Sequence, residues 1–244
     1  MKQTLTTEIH SRYEQVRETI ERTASSAGRR SDAIRLVVVT KTHPLETILA
    51  ALEAGIRELG ENYAEEAVEK INAIGPVSDL TWHMIGHIQS RKADLVAQKF
   101  DYVHSVDSLK LALRLERFAA EAGRKLPILL ECNVGGEESK FGYTAADKTQ
   151  WAALLAETNQ IALMPHLEIR GLMTMPPLYD DAEKTRPFFQ RLRELRDYLA
   201  EHNPQVSWSE LSMGTSADFA AAVQEGATMV RVGTAILGSR PARL

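Results

Sequence analysis

Lys41 is the residue best placed to do chemistry, in the run Leu36-Val37-Val38-Val39-Thr40-Lys41-Thr42-His43-Pro44. Four apolar residues, three of them β-branched, predict a strand buried on both faces, and Pro44 stops its ladder soon after the lysine. Counted by twos, Val37, Val39 and Lys41 share one side, which sets the ammonium on a column of apolar side chains. Desolvation there penalises the charged form and leaves more of the neutral amine that attacks a carbonyl. A lysine that snorkels its charge to solvent from the end of a core strand is the other reading of the same residue.

Two stretches near the C-terminus suit an anion. Gly233-Thr234 opens a short helical turn whose N–H groups and positive dipole end can face a phosphate, and Ser212, Ser216 and Thr234 add hydroxyl donors. Thr215-x-x-Asp218 also reads as a capping box, which explains one of the two loops without a ligand. Arg231 interrupts the apolar strand Thr228-Met229-Val230-Arg231-Val232-Gly233, and a guanidinium keeps its charge when buried, so it needs an acidic neighbour or an acceptor on a ligand. His83 and His87 are four apart on a strand-to-loop segment, a spacing that does not put two imidazoles on one face. No Cys or Asp beside them completes a ligand set, so no metal site is expected. Trp82, Met84 and Ile85 read as core.

These residues must be positioned by the elements around them. Leu5, Ile9, Tyr13, Val16 and Ile20 mark one face of an N-terminal helix over residues 3–27. Strands then alternate with helices: strands at 36–40, 56–60, 80–86, 102–106, 127–133, 169–175, 207–213 and 228–233, helices at 46–54, 64–73, 90–98, 109–122, 147–160, 182–202, 216–224 and 234–237. Strict alternation predicts a parallel sheet, and eight such units in about 200 residues predict a closed (β/α)8 TIM barrel. The expected architecture is α/β, a single domain over 1–244 with the barrel over 34–240. Neither G-x-G-x-x-G nor G-x-x-x-x-G-K-[ST] occurs, which disfavours an open nucleotide-binding sheet. In such a barrel the site is built at the C-terminal strand ends, where Lys41, Asn62, His83, Asn133, Ser212-Met213, Ser216, Arg231 and Gly233-Thr234 fall.

Composition narrows the class. The chain of 244 residues is 44% hydrophobic and 25% charged with a formal charge of −4, so it offers no general basic surface and nucleic acid is not expected as a partner. The single cysteine, Cys132, fits a reducing compartment, and no apolar run approaches the roughly 20 residues of a membrane span, so a cytoplasmic protein without membrane contact is expected.

A lysine able to form a Schiff base, an anion cup and an arginine on one rim fit pyridoxal 5′-phosphate (PLP), with its aldehyde at Lys41, its phosphate at the last two loops and its ring nitrogen opposite Arg231. The segments VVVTKTHP, ELGENYAEEAVEK, WHMIGHIQSRK, VHSVDSLKLA, ECNVGGEESKFGY, IRGLMTMPP and LSMGTSADFAAAVQEGATMVRVGTAILGSR together resemble the PLP homeostasis proteins, relatives of the alanine racemase barrel, from about Arg35 to Arg240. The resemblance implies that Lys41 is the Schiff-base lysine and that Asn62 and His83 lie near the ring. It further implies that Ser212, Ser216, Gly233 and Thr234, with Met213 in the same loop, hold the phosphate end and that Arg231 faces the pyridine nitrogen. Lys140 is retained as a transient PLP acceptor. The chain departs from the family where it has Lys41-Thr42-His43-Pro44 in place of K-T-K-P, which removes a second amine, and Gly86-His87-Ile88-Gln89-Ser90-Arg91-Lys92 in place of G-P-L-Q-S-N-K.

Racemisation needs two bases on opposite faces of a closed pocket, and the racemases of this lineage obtain the second face from a further domain and a partner subunit. This chain is expected to lack that domain, and an arginine at the ring nitrogen makes a weaker electron sink than a carboxylate would. The expected function is therefore a monomeric, non-catalytic carrier that buffers PLP or delivers it to PLP-dependent apo-enzymes, with no catalytic residues. A weak PLP-dependent amino-acid racemase and a Schiff-base aldolase acting on a phosphorylated substrate are the alternatives.

Overall fold

The computed structural model describes residues 2–239. Its strands, in chain order, are β1 (Arg35–Val39), β2 (Glu58–Glu61), β3 (Thr81–Met84), β4 (Tyr102–Val106), β5 (Leu126–Asn133), β6 (Tyr143–Thr144), β7 (Leu167–Met173), β8 (Glu210–Ser212) and β9 (Met229–Val232). Eight of them close a parallel barrel in the order β1-β2-β3-β4-β5-β7-β8-β9, with β9 pairing back onto β1. The short β6 pairs with Cys132 and Asn133 at the end of β5. The expected barrel and leading helix are both present, and the C-terminal bound at 240 lies outside the described residues.

The helices are α1 (Lys2–Ser26), α2 (Leu45–Glu53), α3 (Ala64–Ile74), α4 (Ala93–Lys99), α5 (Leu109–Glu121), α6 (Trp151–Ile161), α7 (Arg186–His202), α8 (Phe219–Gln224) and α9 (Thr234–Leu237). Helix α1 buries Ile9, Val16, Ile20 and Ala24 against α2, α8 and α9. Just beyond it, the Arg29 guanidinium donates to the carbonyls of Val223 (2.6 Å), in the last turn of α8, and Ala227 (2.8 Å), in the turn that leads to β9.

Four strands, β2, β3, β8 and β9, are shorter than their sequence pattern, and at β2 and β8 neighbouring contacts show why. Ile56 belongs to the turn after α2, its N–H donating to Ala51 O at 3.1 Å, so β2 begins only at Glu58. Trp208, read as strand, is buried with its indole N–H on Asn203 O at 3.0 Å, and β8 starts after it.

The apolar core lies mainly outside the barrel wall. Leu36, Val38, Leu59, Met84, Val103, Ile128, Leu172, Leu211 and Val230 alternate outward into one continuous cluster with the helices. Each large aliphatic side chain buried there contributes roughly 1.5–3 kcal/mol, so this layer holds the helices to the barrel. Inside the barrel, among the described residues, the apolar cluster is Tyr102, Leu129, Met173 and Met229, with Val37 buried on the inward side of β1. The remaining interior contacts join polar groups across strands: Arg35 and Tyr102 to Glu210, Glu58 to His83, His83 to His104, and Ser212 to Arg231.

Candidate functional site

At the C-terminal strand ends lies a cavity of about 450 Å³, of a size that suits a small organic ligand. Lys41, Asn62, Glu131, Ser216, Arg231, Gly233 and Thr234 line it, and Val39, Ile85, Phe141 and Met175 supply apolar wall. Ile85 is therefore a wall residue of the cavity, whereas Trp82 and Met84 lie in the outer core as expected.

Lys41 follows β1 on the side of Val37 and Val39, half-buried, in a turn gripped from both flanks. On one flank the Thr40 hydroxyl donates to Glu61 Oε1 (2.7 Å) and the Lys70 ammonium donates to Thr40 O (2.9 Å). On the other, the Thr42 N–H donates to Glu66 Oε1 at 2.6 Å and holds Thr42 at φ +64°, a conformation costly for a β-branched residue. Lys70 ties the two together by pairing with Glu61 at 2.7 Å and Glu66 at 2.6 Å. Glu66 and Lys70 are one helical turn apart on α3, so their spacing was a readable signal; Glu61, which ends β2 fully buried, was not. Burial pushes the Glu61 carboxyl up, against the pull of Lys70.

The two anion loops meet. The Gly233 N–H donates to Ser216 Oγ at 3.2 Å, bringing the loop after β8 onto the N-terminus of α9. Gly233 itself is packed so closely on β1 that a Cβ there would stand 3.2 Å from the Cβ of Val39. Asp218 accepts from the Thr215 N–H (2.6 Å) and hydroxyl (3.0 Å), so its carboxylate is turned back on the loop and makes no cap bond into α8.

Ser212, Met213 and His83 do not line the cavity. Ser212 takes an inward position on β8 one layer below the rim, fully buried between His104 and Arg231, and its neighbour Met213 alternates outward into the helix-side core. His83, inward on β3, is likewise fully buried, bonded to Glu58 and His104. Asn62 does reach the cavity, and its Oδ1 is buried with no partner among the described residues. Gly86 lets the ends of β2 and β3 converge there, since a Cβ would fall 2.4 Å from Asn62 O.

Arg231 is 3% exposed. One guanidinium nitrogen donates to Ser212 Oγ and another to Thr174 O (2.8 Å) and Met175 Sδ (3.0 Å). No carboxylate forms an ion pair with it among the described residues, so of the two partners considered for a strand arginine, an acidic neighbour or an acceptor on a ligand, the bonded acid is absent. Burial lowers its pKa to about 10, with Glu131 and Asp218 opposing, and it remains a cation at neutral pH.

Glu131, which the sequence reading passed over, lines the cavity together with His87. Glu131, inward on β5, has a buried Oε2 with no partner among the described residues. Burial, then the charge of Asp107, pushes its pKa up to about 7, against Arg231. The signal was present, because Glu131 interrupts the apolar run Ile128-Leu129-Leu130-Glu131-Cys132 as Arg231 interrupts its own strand. His87 pairs with Asp107 at 3.0 Å and stacks on Phe141 with ring centroids 3.5 Å apart. Lys140 lies in an adjoining cavity of about 200 Å³ that shares Glu131, Phe141 and Met175 as a common wall. Its ammonium donates to Met175 O (3.1 Å) and pairs with Glu137 (2.8 Å).

Residues 12–241 match the family described as alanine racemase, N-terminal domain. The pyridoxal phosphate homeostasis proteins of Vibrio cholerae and Escherichia coli are 40% and 38% identical to this chain, over 95% and 93% of it and 96% and 94% of their own lengths. PipY of Synechococcus elongatus, solved with PLP bound, is 39% identical with a TM-score of 0.77, covering 90% of this chain and 100% of that one. The alanine racemase of Streptomyces coelicolor, 17% identical with a TM-score of 0.72 over 97% of this chain and 59% of that one, shares the fold alone. Full-length similarity at this level, on a barrel with a lysine, an arginine and two joined loops around one cavity, places the chain in the pyridoxal phosphate homeostasis protein family.

Proposed function

We propose that the cavity binds PLP reversibly through Lys41, and that the protein buffers the cofactor or delivers it to PLP-dependent apo-enzymes as a cytoplasmic monomer without turnover of its own. One observation carries this reading: Lys41, Arg231 and the Ser216–Gly233 junction line the same cavity. When bound, PLP supplies an aldehyde that condenses reversibly with an amine and a dianionic phosphate that takes N–H and O–H donors. The residues fit such a group. Asn62 Oδ1 and Glu131 Oε2 are buried acceptors at its edge, and a polar ligand satisfies them where an apolar one leaves them unpaid in hydrogen bonds.

Each part of the rim then has a task. The Glu61–Lys70–Glu66 cluster fixes the backbone on both sides of Lys41 and so sets where its amine can reach. Ser216, Gly233 and Thr234 orient the anionic end, and Arg231 presents a positive charge from below. The stacked His87–Phe141 pair forms part of the cavity wall. The names of the relatives and the PLP-bound PipY structure support the same assignment, and their description as homeostasis proteins supports a carrier over an enzyme.

A titration of PLP and unphosphorylated pyridoxal, followed by absorbance, tests it. Charge-assisted hydrogen bonds contribute about 1.5–3 kcal/mol each, so losing two is expected to weaken pyridoxal on the order of a hundredfold relative to PLP. Thr234→Ala, which removes one hydroxyl and leaves the backbone donors, is expected to weaken PLP by roughly tenfold or less. Equal affinity for both aldehydes would contradict an anion site at the ends of β8 and β9.

A further inference from the structure

A continuous line of hydrogen bonds runs through the barrel interior beneath the cavity. Arg231 contacts Ser212 Oγ, Ser212 Oγ lies 2.9 Å from His104 Nδ1, His104 Nε2 lies 2.9 Å from His83 Nδ1, and His83 Nε2 lies 2.5 Å from Glu58 Oε2. Ser212, His104 and His83 are fully buried, and only Glu58, the first residue of β2, has a partly exposed side chain. Together they form a polar interior where small barrels are usually filled by branched aliphatics.

We propose that Ser212, His104, His83 and Glu58 are positioning residues for Arg231, joined in a one-way chain of hydrogen bonds that starts at the guanidinium and ends on the Glu58 carboxylate. The direction follows from the two ends. A guanidinium can only donate and an ionised carboxylate can only accept, while a hydroxyl and a neutral imidazole each offer one donor and one acceptor to the chain. With both imidazoles neutral, one placement of protons gives every bond a donor: Arg231 donates to Ser212, the Ser212 hydroxyl to His104 Nδ1, His104 Nε2–H to His83 Nδ1, and His83 Nε2–H to Glu58.

Reversing the inner links would leave the Ser212 hydroxyl proton without this acceptor in a fully buried position. Burial first, then His83 and Arg231, hold His104 far below the usual imidazole range, which agrees with a neutral ring. Arg231, which has no bonded acid, thus has its charge balanced at a distance through polarised neutral groups. Its guanidinium is pinned at Ser212 on the inner side while its other face lines the cavity. The chain stands whatever fills the cavity; its effect on ligand affinity rests on the PLP reading.

The test begins with ¹⁵N-labelled, ligand-free protein and imidazole ¹H–¹⁵N correlation spectra. His83 and His104 are expected to be neutral with the proton on Nε2. Ser212→Ala is expected to move the His104 Nδ1 signal to that of a nitrogen without a hydrogen bond, leave exposed His10 and His202 unchanged, and weaken PLP binding roughly tenfold, one charge-assisted bond's worth of placement. Glu58→Gln keeps the shape at the far, partly exposed end and serves if Ser212→Ala fails to fold: the His83 Nε2 signal is expected to shift and PLP affinity to fall by a smaller factor. An imidazolium at His83 or an Nδ1-protonated His104 would overturn the chain. The expected spectra with unaltered PLP affinity in both variants would overturn the positioning role, whereas failure of the wild type to bind PLP at all would overturn the reading of the cavity and leave the spectra to decide the chain.

Discussion

Lys70 and Arg231 are both buried cations near the Lys41 rim, 7% and 3% exposed, and they are held in opposite ways. Lys70 sits between two carboxylates and a backbone carbonyl. Arg231 sits against a hydroxyl, a carbonyl and a thioether, with no acid bonded to it. The difference separates two uses of a buried charge. In the first the charge is neutralised inside the fold and serves to clamp the backbone; in the second it stays uncompensated at close range and projects a positive field into the cavity, where an anionic ligand answers it.

The clamp is the place where the largest effect is expected. Lys70→Met leaves Glu61, fully buried, without its counter-ion, and breaking one side of a buried pair destabilises by about 3–5 kcal/mol. Urea unfolding at neutral pH measures it, and a loss below about 1 kcal/mol would show that the cluster is no more than a surface pair.

A smaller effect sharpens the other half of the comparison. Burial raises the Glu131 carboxyl from its usual 4.5 to about 7, so the folded chain holds a proton that the unfolded chain releases over that interval. Stability is therefore lost as pH rises from about 4.5 through 7 and remains lost above it. Glu131→Gln is expected to raise the unfolding midpoint at pH above about 7 and to leave it unchanged below about 4. An ionised Glu131 also repels a dianion, so PLP affinity of the wild type is expected to fall as pH passes through about 7 and that of the variant to stay level. If Glu131 were instead the close counter-ion of Arg231, the substitution would destabilise the protein at neutral pH, and the contrast with Lys70 would fail.

The two layers of the barrel differ in how far they could be read from residue order. The outer layer was legible because alternation and helical periodicity are local: Leu36 and Val38, or Ile9, Val16 and Ile20, announce their face by spacing alone. Lys41, Arg231, Ser216, Gly233 and Thr234 were legible for a related reason, as polar residues at strand ends in a fold whose sites lie there. The inner layer was not. His83 meets His104 from 21 residues away and His104 meets Ser212 from 108, so no window of sequence contains the partners that make a buried imidazole satisfied. Ser212 shows how fine the margin is: one position separates a hydroxyl on the rim from one beneath it, and a strand end placed by pattern carries that uncertainty. Glu131 escaped notice although the argument applied to Arg231 applies to it equally.

The central claim is that Lys41, in this cavity, is the residue that holds PLP covalently. Borohydride reduction of the PLP-loaded protein followed by peptide mapping tests it most directly. The pyridoxyl group is expected on the peptide containing Lys41, and Lys41→Ala is expected to abolish the label there; label found chiefly on Lys140, in the adjoining cavity, would contradict it.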